Sequence, residues 1–115
     1  METVYKKLIE NKDYGSIIYT GEVKDGKPHG KGIAFESWKM ENEKLLYSGD
    51  WKDGVQHGIG TSYDVEGKVM YVGGFKDNLF DGEGTIYYRD GTRFVGQWKK
   101  GTPYAGNHYP ATNVV

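Results

Sequence analysis

The sequence predicts an all-β protein in which tandem β-hairpin repeats form a single elongated, twisted antiparallel meander sheet. The first observation behind this prediction is a motif, aromatic-x-Gly-x-bulky apolar-Lys, that recurs four times along the 115 residues. The second is a two-residue turn signal directly after each motif, and the third is a pair of closely spaced glycines after the first three turns. Alternating apolar residues on both sides of such a turn are typical of a hairpin.

The six-residue motif opens each copy of the repeat and supplies its first strand. It occurs as Tyr19-Thr20-Gly21-Glu22-Val23-Lys24, Tyr47-Ser48-Gly49-Asp50-Trp51-Lys52, Tyr71-Val72-Gly73-Gly74-Phe75-Lys76 and Phe94-Val95-Gly96-Gln97-Trp98-Lys99. Its first glycines are separated by 28, 24 and 23 residues. The period is therefore about 23 residues, and the first copy carries an insertion of roughly five residues. Because side chains alternate along a strand, the aromatic residues share a face with the first glycine, and the lysines lie on the opposite face.

A turn and a returning strand complete each hairpin. The turns are Asp25-Gly26, Asp53-Gly54, Asp77-Asn78 and Lys100-Gly101. Such turns need positive φ, which glycine adopts freely and Asn78 adopts more readily than most other residues. The returning strands carry His29-Gly30-Lys31-Gly32, His57-Gly58-Ile59-Gly60, Asp81-Gly82-Glu83-Gly84 and the weaker match Tyr104-Ala105-Gly106-Asn107. Glycines that face aromatic side chains leave room for the rings to lie flat over the backbone, and we interpret the recurrent glycines in this way.

The repeats divide the chain into three segments. We expect residues 1–18 to form an N-terminal cap, either as a short helix or as a strand. Residues 19–101 hold the repeats, with copies at 19–46, 47–70 and 71–93 and a partial copy at 94–101. Residues 102–115 are expected to close the other end of the array as a C-terminal cap, or to fray as a tail.

The repeat resembles the MORN repeat (membrane occupation and recognition nexus), whose pattern is Tyr-x-Gly-x-Trp/Phe-x-x-Gly-x-x-His-Gly-x-Gly. The second copy matches every position of this pattern. The first copy has Val23 in place of the second aromatic residue, and the third has Asn78 and Asp81 in place of Gly and His. The resemblance covers about residues 19–101. It implies a sheet of hairpins that serves as a scaffold, or as a targeting or regulatory part of a larger protein.

Composition limits the classes of function. The formal net charge of −1 provides no basic surface of the kind that nucleic-acid-binding proteins use, so we predict no nucleic-acid partner. The absence of cysteine excludes disulfides and thiolate metal sites. Residues 1–12 contain no long apolar run, so we predict neither a signal peptide nor a membrane span, and we expect a cytoplasmic location.

The aromatic column supplies the candidate partner-binding surface. The predicted partner-binding residues are Trp38, Met40, Tyr47, Trp51, Tyr71, Phe75, Phe94 and Trp98. In one interpretation these rings form the core of the sheet, and in the other one side of the column stays open as a groove for a partner's peptide or helix. Both interpretations hold together when a single-layer sheet cannot cover its own rings. Trp38 and Met40 lie in the insertion, where apolar residues either contact a partner or pack back on the sheet.

Two polar columns accompany the aromatic one. The candidate lipid-binding residues are Lys24, Lys52, Lys76, Lys99 and Lys100, which together form a row that an anionic membrane surface would attract. An aspartate follows three of these lysines directly, so a solvated face is the alternative interpretation. His29, His57 and Asp81 form the other column, and two histidines with a carboxylate are a known metal-binding set. The resemblance to MORN repeats implies a structural role instead, and we predict no metal and no cofactor.

No catalytic constellation is evident, because the glycines lie within hairpins and no nucleophile elbow or phosphate loop is present. We predict no catalytic residue and a non-enzymatic protein–protein interaction or scaffold module that uses its aromatic-lined sheet surface. Free sheet edges also favour a homodimer or strand addition. Two alternatives stay open: a peripheral membrane module that binds anionic lipid headgroups through the lysines, and a small inhibitor or antitoxin-like protein.

Overall fold

The computed structural model describes residues 1–36 and 44–111, and within them it contains one nine-stranded antiparallel sheet. The strands are β1 (Glu2–Asn11), β2 (Gly15–Lys24), β3 (Lys27–Glu36), β4 (Lys44–Lys52), β5 (Val55–Tyr63), β6 (Val69–Lys76), β7 (Leu79–Tyr87), β8 (Arg93–Lys99) and β9 (Thr102–Tyr109). Each strand pairs with its neighbours along the chain, so the predicted all-β meander is confirmed. The described ranges form no helix and therefore offer no helical segment that could cross a bilayer.

The two-residue turns have the geometry that their sequences predict. The first residue of each turn has φ between 50° and 53°, and the second has φ between 69° and 89°. Positive φ at both central positions is the geometry of the type I′ hairpin turn, whose twist matches that of the flanking strands. Asn78, with φ 69°, takes the conformation that glycine has in the other three turns.

A row of glycines crosses the sheet at right angles to the strands. The paired positions run Gly21, Gly32, Gly49, Gly60, Gly73, Gly84, Gly96 and Gly106, one from each strand from β2 to β9. A Cβ atom at Gly60 would overlap the hydroxyl oxygen of Tyr47, and the same relation recurs in the first and third hairpins. The predicted packing of aromatic rings flat over glycine is therefore confirmed, and it requires glycine at these positions.

The fourth hairpin differs from the other three in its bulge. In the second hairpin Gly49 pairs with Gly60, and Trp51 pairs with Gln56. Two residue steps on β4 therefore lie opposite four steps on the returning strand, β5. In the fourth hairpin Gly96 pairs with Gly106, and Trp98 pairs with Pro103. Two residue steps on β8 therefore lie opposite only three steps on β9. The returning strand is thus one residue shorter, and this explains why its sequence departs from the repeated glycine signature.

The core is a single layer of rings on one face of the sheet. The largest of these side chains are Tyr19, Tyr47, Trp51, Tyr71, Phe75 and Trp98, which are 0–5% exposed. The tyrosines meet the bulky ring of the next copy edge to face, with centroids 5.3 Å apart for Tyr19 and Trp51 and 4.8 Å apart for Tyr47 and Phe75. Each such pair contributes about 0.5–1.5 kcal/mol beyond the area it buries. The interpretation of the aromatic column as the core is confirmed.

Both end segments contribute strands to the sheet. Glu2–Asn11 forms β1, so of the two conformations predicted for the N-terminal segment, helix or strand, these residues adopt the strand. Thr102–Tyr109 forms β9 and pairs with β8 from end to end, so these residues do not fray. The role of the two segments as caps stays a prediction.

Candidate functional site

The candidate site is the face of the sheet that carries the rings, called here the aromatic face. It consists of the buried core layer and of six partly exposed apolar side chains that pack against it: Val4, Ile9 and Leu46 in the N-terminal half, and Phe80, Ile86 and Phe94 in the C-terminal half. The stacked pair of Phe80 and Tyr71 has ring centroids 3.8 Å apart, and Phe94 meets Trp98 edge to face at 5.8 Å. This face joins all copies of the repeat into one continuous apolar surface.

The tyrosine hydroxyls on this face are committed to the backbone. Tyr19, Tyr47 and Tyr71 each donate to the carbonyl oxygen three residues ahead, at distances of 2.7, 2.7 and 2.9 Å. Burial raises the pKa of all three hydroxyls, to about 12 for Tyr71. These groups therefore stay protonated at neutral pH and act as structural donors, because a general acid or base would need a pKa near the working pH.

The indole nitrogens of the second and fourth copies bind these copies to the preceding ones. Trp51 Nε1 donates to the carbonyl oxygen of Gly32, and Trp98 Nε1 donates to that of Gly84, both at 3.1 Å. Each tryptophan therefore covers the glycine row of the hairpin before it and satisfies a backbone acceptor there. The polar atoms of these rings are used inside the sheet, and their hydrogen-bonding capacity is not presented to a partner.

The His29, His57 and Asp81 column lies next to the turns. The backbone N–H of Asp53 donates to His29 Nδ1 at 3.2 Å, and that of Lys100 donates to Asp81 Oδ2 at 3.4 Å. Two members of the column thus accept a hydrogen bond from the turn of the following hairpin, which agrees with a structural role. In the described ranges no three histidine or acidic side chains come close enough together to hold a metal ion.

The turn between β1 and β2, residues 11–14, crosses the aromatic face. In a meander this turn lies at the opposite end of the strands from the turns at 53–54 and 77–78. Nevertheless Asn11 Nδ2 donates to the carbonyl oxygen of Gly54 at 3.2 Å, and Asn78 Nδ2 donates to Asn11 Oδ1 at 3.1 Å. The β1–β2 hairpin must therefore bend across the face to bring residues 11–14, called here the hairpin tip, to the turns of the second and third copies.

Three amides are buried where the hairpin tip meets the sheet. Asn11, Gln56 and Asn78 are 5%, 1% and 4% exposed. Asn78 also donates to Asp13 Oδ2 at 2.7 Å, and its own Oδ1 accepts from the Gln56 backbone N–H at 2.8 Å. By contrast, Gln56 Oε1 finds no hydrogen-bond donor among the described residues. Leaving a buried acceptor without a donor costs about 1–3 kcal/mol, so this atom is a place where a ligand's donor would be stabilising.

The predicted partner-binding residues fall into three groups. Tyr47, Trp51, Tyr71, Phe75 and Trp98 are brought together in the buried layer, where they offer almost no ring surface to a partner. Phe94 is partly exposed at the C-terminal end of the face. Trp38 and Met40 lie outside the described residues. Binding of a partner by any of these residues stays a prediction.

Sequence analysis missed Phe80 and Ile86. Phe80 occupies the position that Pro28 and Gln56 fill in earlier copies, so it has no counterpart in the aromatic motif. Ile86 is two residues beyond Gly84, and strand alternation alone would have assigned it to the aromatic face. Beside Ile86 lies a cavity of about 200 Å³ that Met70, Tyr87 and Tyr88 also line.

The candidate lipid-binding residues are all exposed. Lys24, Lys52, Lys76, Lys99 and Lys100 lie at the ends of strands β2, β4, β6 and β8 and in the turn after β8. They form a row along the turns. Acidic side chains lie between these lysines. Asp53 Oδ1 is 3.7 Å from His29 Nδ1, and Asp77 Oδ1 pairs with Lys12 Nζ at 2.6 Å. Lipid binding by these lysines stays a prediction.

Comparison with protein families identifies the repeat. The MORN repeat model matches residues 19–34, 47–69 and 71–93, which together make up more than half of the chain. A search of curated proteins finds no match. MORN repeats are non-enzymatic modules that generally mediate interactions with proteins or membranes. The three matched stretches begin where the first three copies begin and fall within them, and the sheet has the hairpin meander expected of such repeats; the chain belongs to the MORN repeat family.

Proposed function

We propose that this chain is a non-enzymatic interaction module that binds a protein partner on the uncovered, C-terminal part of its aromatic face. The observation that carries the proposal is the uneven cover of this face. The hairpin tip lies over Gln56 and Asn78, whereas Phe80, Ile86 and Phe94 retain accessible apolar surface. Interaction with proteins or membranes is the general role of MORN repeats, which supports a binding function here.

The chemistry of the uncovered surface suits an apolar anchor of a polypeptide. Phe80 and Phe94 present rings, and the cavity beside Ile86 is lined mainly by apolar atoms. Aromatic or aliphatic anchors that fill such cavities carry much of the affinity of protein interfaces. The ring layer beneath is fixed by hydrogen bonds and edge-to-face contacts, so little conformational entropy is lost when a partner binds.

The test compares one substitution on the two faces of the sheet. Ile86→Lys places a charge in the uncovered surface, and Ile59→Lys places the same charge on the opposite face, where Ile59 is 63% exposed. We expect a partner that is recovered stoichiometrically by wild type and by Ile59→Lys to be lost by Ile86→Lys. For the purified partner, calorimetry should give a dissociation constant at least about tenfold higher for Ile86→Lys, since a buried unpaired charge is costly.

Circular dichroism is the control for folding. Ile86→Lys and Ile59→Lys must both show the wild-type spectrum and a single cooperative melting transition. Equal recovery of the partner by Ile86→Lys and wild type would contradict the proposed surface. The inhibitor-like alternative uses the same surface and differs in the consequence for the partner, so an assay of the recovered partner's activity with and without this chain distinguishes it.

A second copy of this chain is the other partner we propose, at the free edge of β9. All eight residues of β9 are exposed, and none is an acidic residue, a lysine or an arginine. The other edge strand, β1, carries Glu2, Lys6, Lys7 and Glu10 and an irregularity between Val4 and Lys7. Charges and bulges protect edge strands from pairing with another chain, and the stretch of β9 from Ala105 to Tyr109, beyond the bulge near Pro103, lacks both. A two-fold β9–β9 pair centred on Gly106 would continue the glycine row into the second copy.

A further inference from the structure

The hairpin tip occupies a site that other parts of the sheet build. The carbonyl oxygen of Gly54 accepts from Asn11, and the side chain of Asn78 donates to both Asn11 and Asp13. Lys12 pairs with Asp77 at 2.6 Å on the rim of the same site. Every residue from Asn11 to Asp13 therefore contacts a turn that lies at least 40 residues further along the chain.

Asn78 is the residue that makes this site specific. The corresponding positions in the other three hairpins are Gly26, Gly54 and Gly101, which have no side chain to offer. Asn78 keeps the positive φ of the turn and adds a carboxamide that binds the tip through Nδ2 and the Gln56 N–H through Oδ1. The departure from the repeat pattern is thus explained by its contact with a segment 67 residues away.

Gln56 shows that the tip does not use the whole site. Its side chain is 1% exposed and lies beneath the tip, next to Tyr14. Its Oε1 nevertheless has no donor within the described part of the chain. A ligand that delivers an N–H or O–H group to this atom, as well as acceptors to Asn78 Nδ2, would complete the hydrogen bonding that the tip leaves incomplete.

We infer that Gly54, Gln56 and Asn78 form a binding site for a polypeptide turn, that the chain fills this site with its own hairpin tip, and that a protein partner reaches this half of the aromatic face by displacing the tip. The ligand class follows from the present occupant. It is a turn that carries carboxamide or carboxylate acceptors at two nearby positions and a donor for Gln56. The displacement of the tip by a protein partner rests on the proposed function. The retention of the tip by Asn78 is independent of it.

The first experiment measures retention of the tip alone. Asn78→Gly removes the carboxamide and restores the Asp-Gly turn that the first two hairpins use, so the sheet should keep its fold. Gly26→Asn is the matched control, because it creates the same Asp-Asn turn in the first hairpin, where a side chain at Gly26 would enter open space. Trypsin cleavage after Lys12, followed by mass spectrometry, reports how often the tip leaves the sheet.

We expect the rate of cleavage after Lys12 to rise about tenfold in Asn78→Gly and to stay within about twofold of wild type in Gly26→Asn, because local opening controls access of the protease. Hydrogen exchange of residues 10–16 should rise in the same variant and not in the control. An unchanged cleavage rate in Asn78→Gly, or an equal rise in both variants, would overturn the assignment of Asn78.

The second experiment measures competition. The partner recovered through the Ile86 surface should bind Asn11→Ala about tenfold more tightly than wild type, because this variant removes the tip's bonds to Gly54 and Asn78 and leaves the site itself intact, and the gain should be in proportion to the population that the released tip gains. Equal affinity together with faster Lys12 cleavage would overturn the competition and leave the proposed function intact. Failure of both proteins to recover a partner would overturn the competition together with the proposed function, and the cleavage rates would still decide whether Asn78 retains the tip.

Discussion

At the scale of the residue, the tyrosine hydroxyls decide how this sheet responds to its medium. Tyr47 illustrates the arrangement, since its ring covers Gly60 and its hydroxyl donates to the Asp50 carbonyl oxygen. Tyr19 and Tyr71 repeat both contacts in their own hairpins. A phenolate could neither donate this hydrogen bond nor remain buried at low cost, so the three hydroxyls are locked in the neutral form.

This burial predicts a loss of stability at alkaline pH. The pKa of an unfolded tyrosine is near 10, and burial raises that of Tyr71 to about 12 and those of Tyr19 and Tyr47 as well. The stabilisation is fully present below pH 10 and is lost as the pH rises through the folded values. Between about pH 10 and 12 the three tyrosines lose their protons in the unfolded state but keep them in the folded state. The free energy of unfolding should therefore fall by up to about 4 kcal/mol per pH unit.

Urea unfolding at a series of pH values measures this slope, and the ultraviolet absorbance of phenolate counts the groups that ionise. Tyr71→Phe keeps the ring and removes one of the three protons, so its slope should be smaller by about a third. Ionisation of all ten tyrosines in the folded protein near pH 10 would contradict the prediction.

At the scale of the element, each hairpin is joined to the next by the same small set of bonds. The N–H of the second turn residue donates to a carbonyl oxygen of the previous returning strand, from Gly54 to Pro28 at 2.9 Å and from Gly101 to Phe80 at 2.9 Å. Tryptophan indoles add a second link where they are present. Within the described residues no further hairpin makes these bonds to the last returning strand, β9.

The pairing of two copies through β9 is tested by a charge at its centre. Asn107 is exposed on β9 next to Gly106, and Asn107→Lys would place two lysines near the two-fold axis of the pair. We expect wild type to sediment as a concentration-dependent dimer and Asn107→Lys to stay monomeric, because edge lysines oppose strand pairing. Thr3→Lys, at the other edge, is the matched control and should leave the dimer unchanged. A monomer at all concentrations of wild type would contradict the pairing.

At the scale of the whole molecule, the charges are balanced along an extended body. The Cα extents are 44 × 30 × 21 Å, and the formal net charge is −1. The exposed lysines at the turns alternate with Asp25, Asp53 and Asp77, so little net positive field projects from this end of the sheet.

This balance predicts weak binding to anionic membranes. In sedimentation with phosphatidylserine-containing vesicles, we expect little bound protein at about 0.15 M salt and a modest increase at low salt, since exposed charges are screened over about 8 Å. Replacement of Lys24, Lys52, Lys76 and Lys99 by Gln should remove the increase, and Ile86→Lys should not. Strong binding at physiological salt that depends on these lysines would instead establish the lipid-binding alternative.

The sequence was sufficient to predict what depends on near neighbours. Asp53 and Gly54 predict their turn because only certain residues accept positive φ, and Tyr47 with Gly60 predicts the ring packing because strand alternation brings them to one face. These relations recur in each copy, so one physical rule accounts for most of the sheet.

The position of the hairpin tip could not be predicted in this way. Asn78 was interpreted as a tolerated replacement for glycine in its turn, which is correct for its φ, but its contacts with Asn11 and Asp13 depend on the bend of the β1–β2 hairpin. No periodic pattern encodes that bend. Phe80 was missed for a related reason, because its position holds Pro28, Gln56 and Pro103 in the other copies and is aromatic only in the third.

The hairpin tip also has a consequence for the order in which the chain folds. Every strand of the sheet pairs with a neighbour in sequence, so the meander can assemble progressively from local contacts as the chain emerges during synthesis. Asn11 and Asn78 are separated by 67 residues, so Asn11 cannot accept the hydrogen bond from Asn78 until the turn of the third hairpin has formed. We therefore expect the tip to dock only after that hairpin is complete, so that Asn11 reaches its final place later than strands that follow it in the chain.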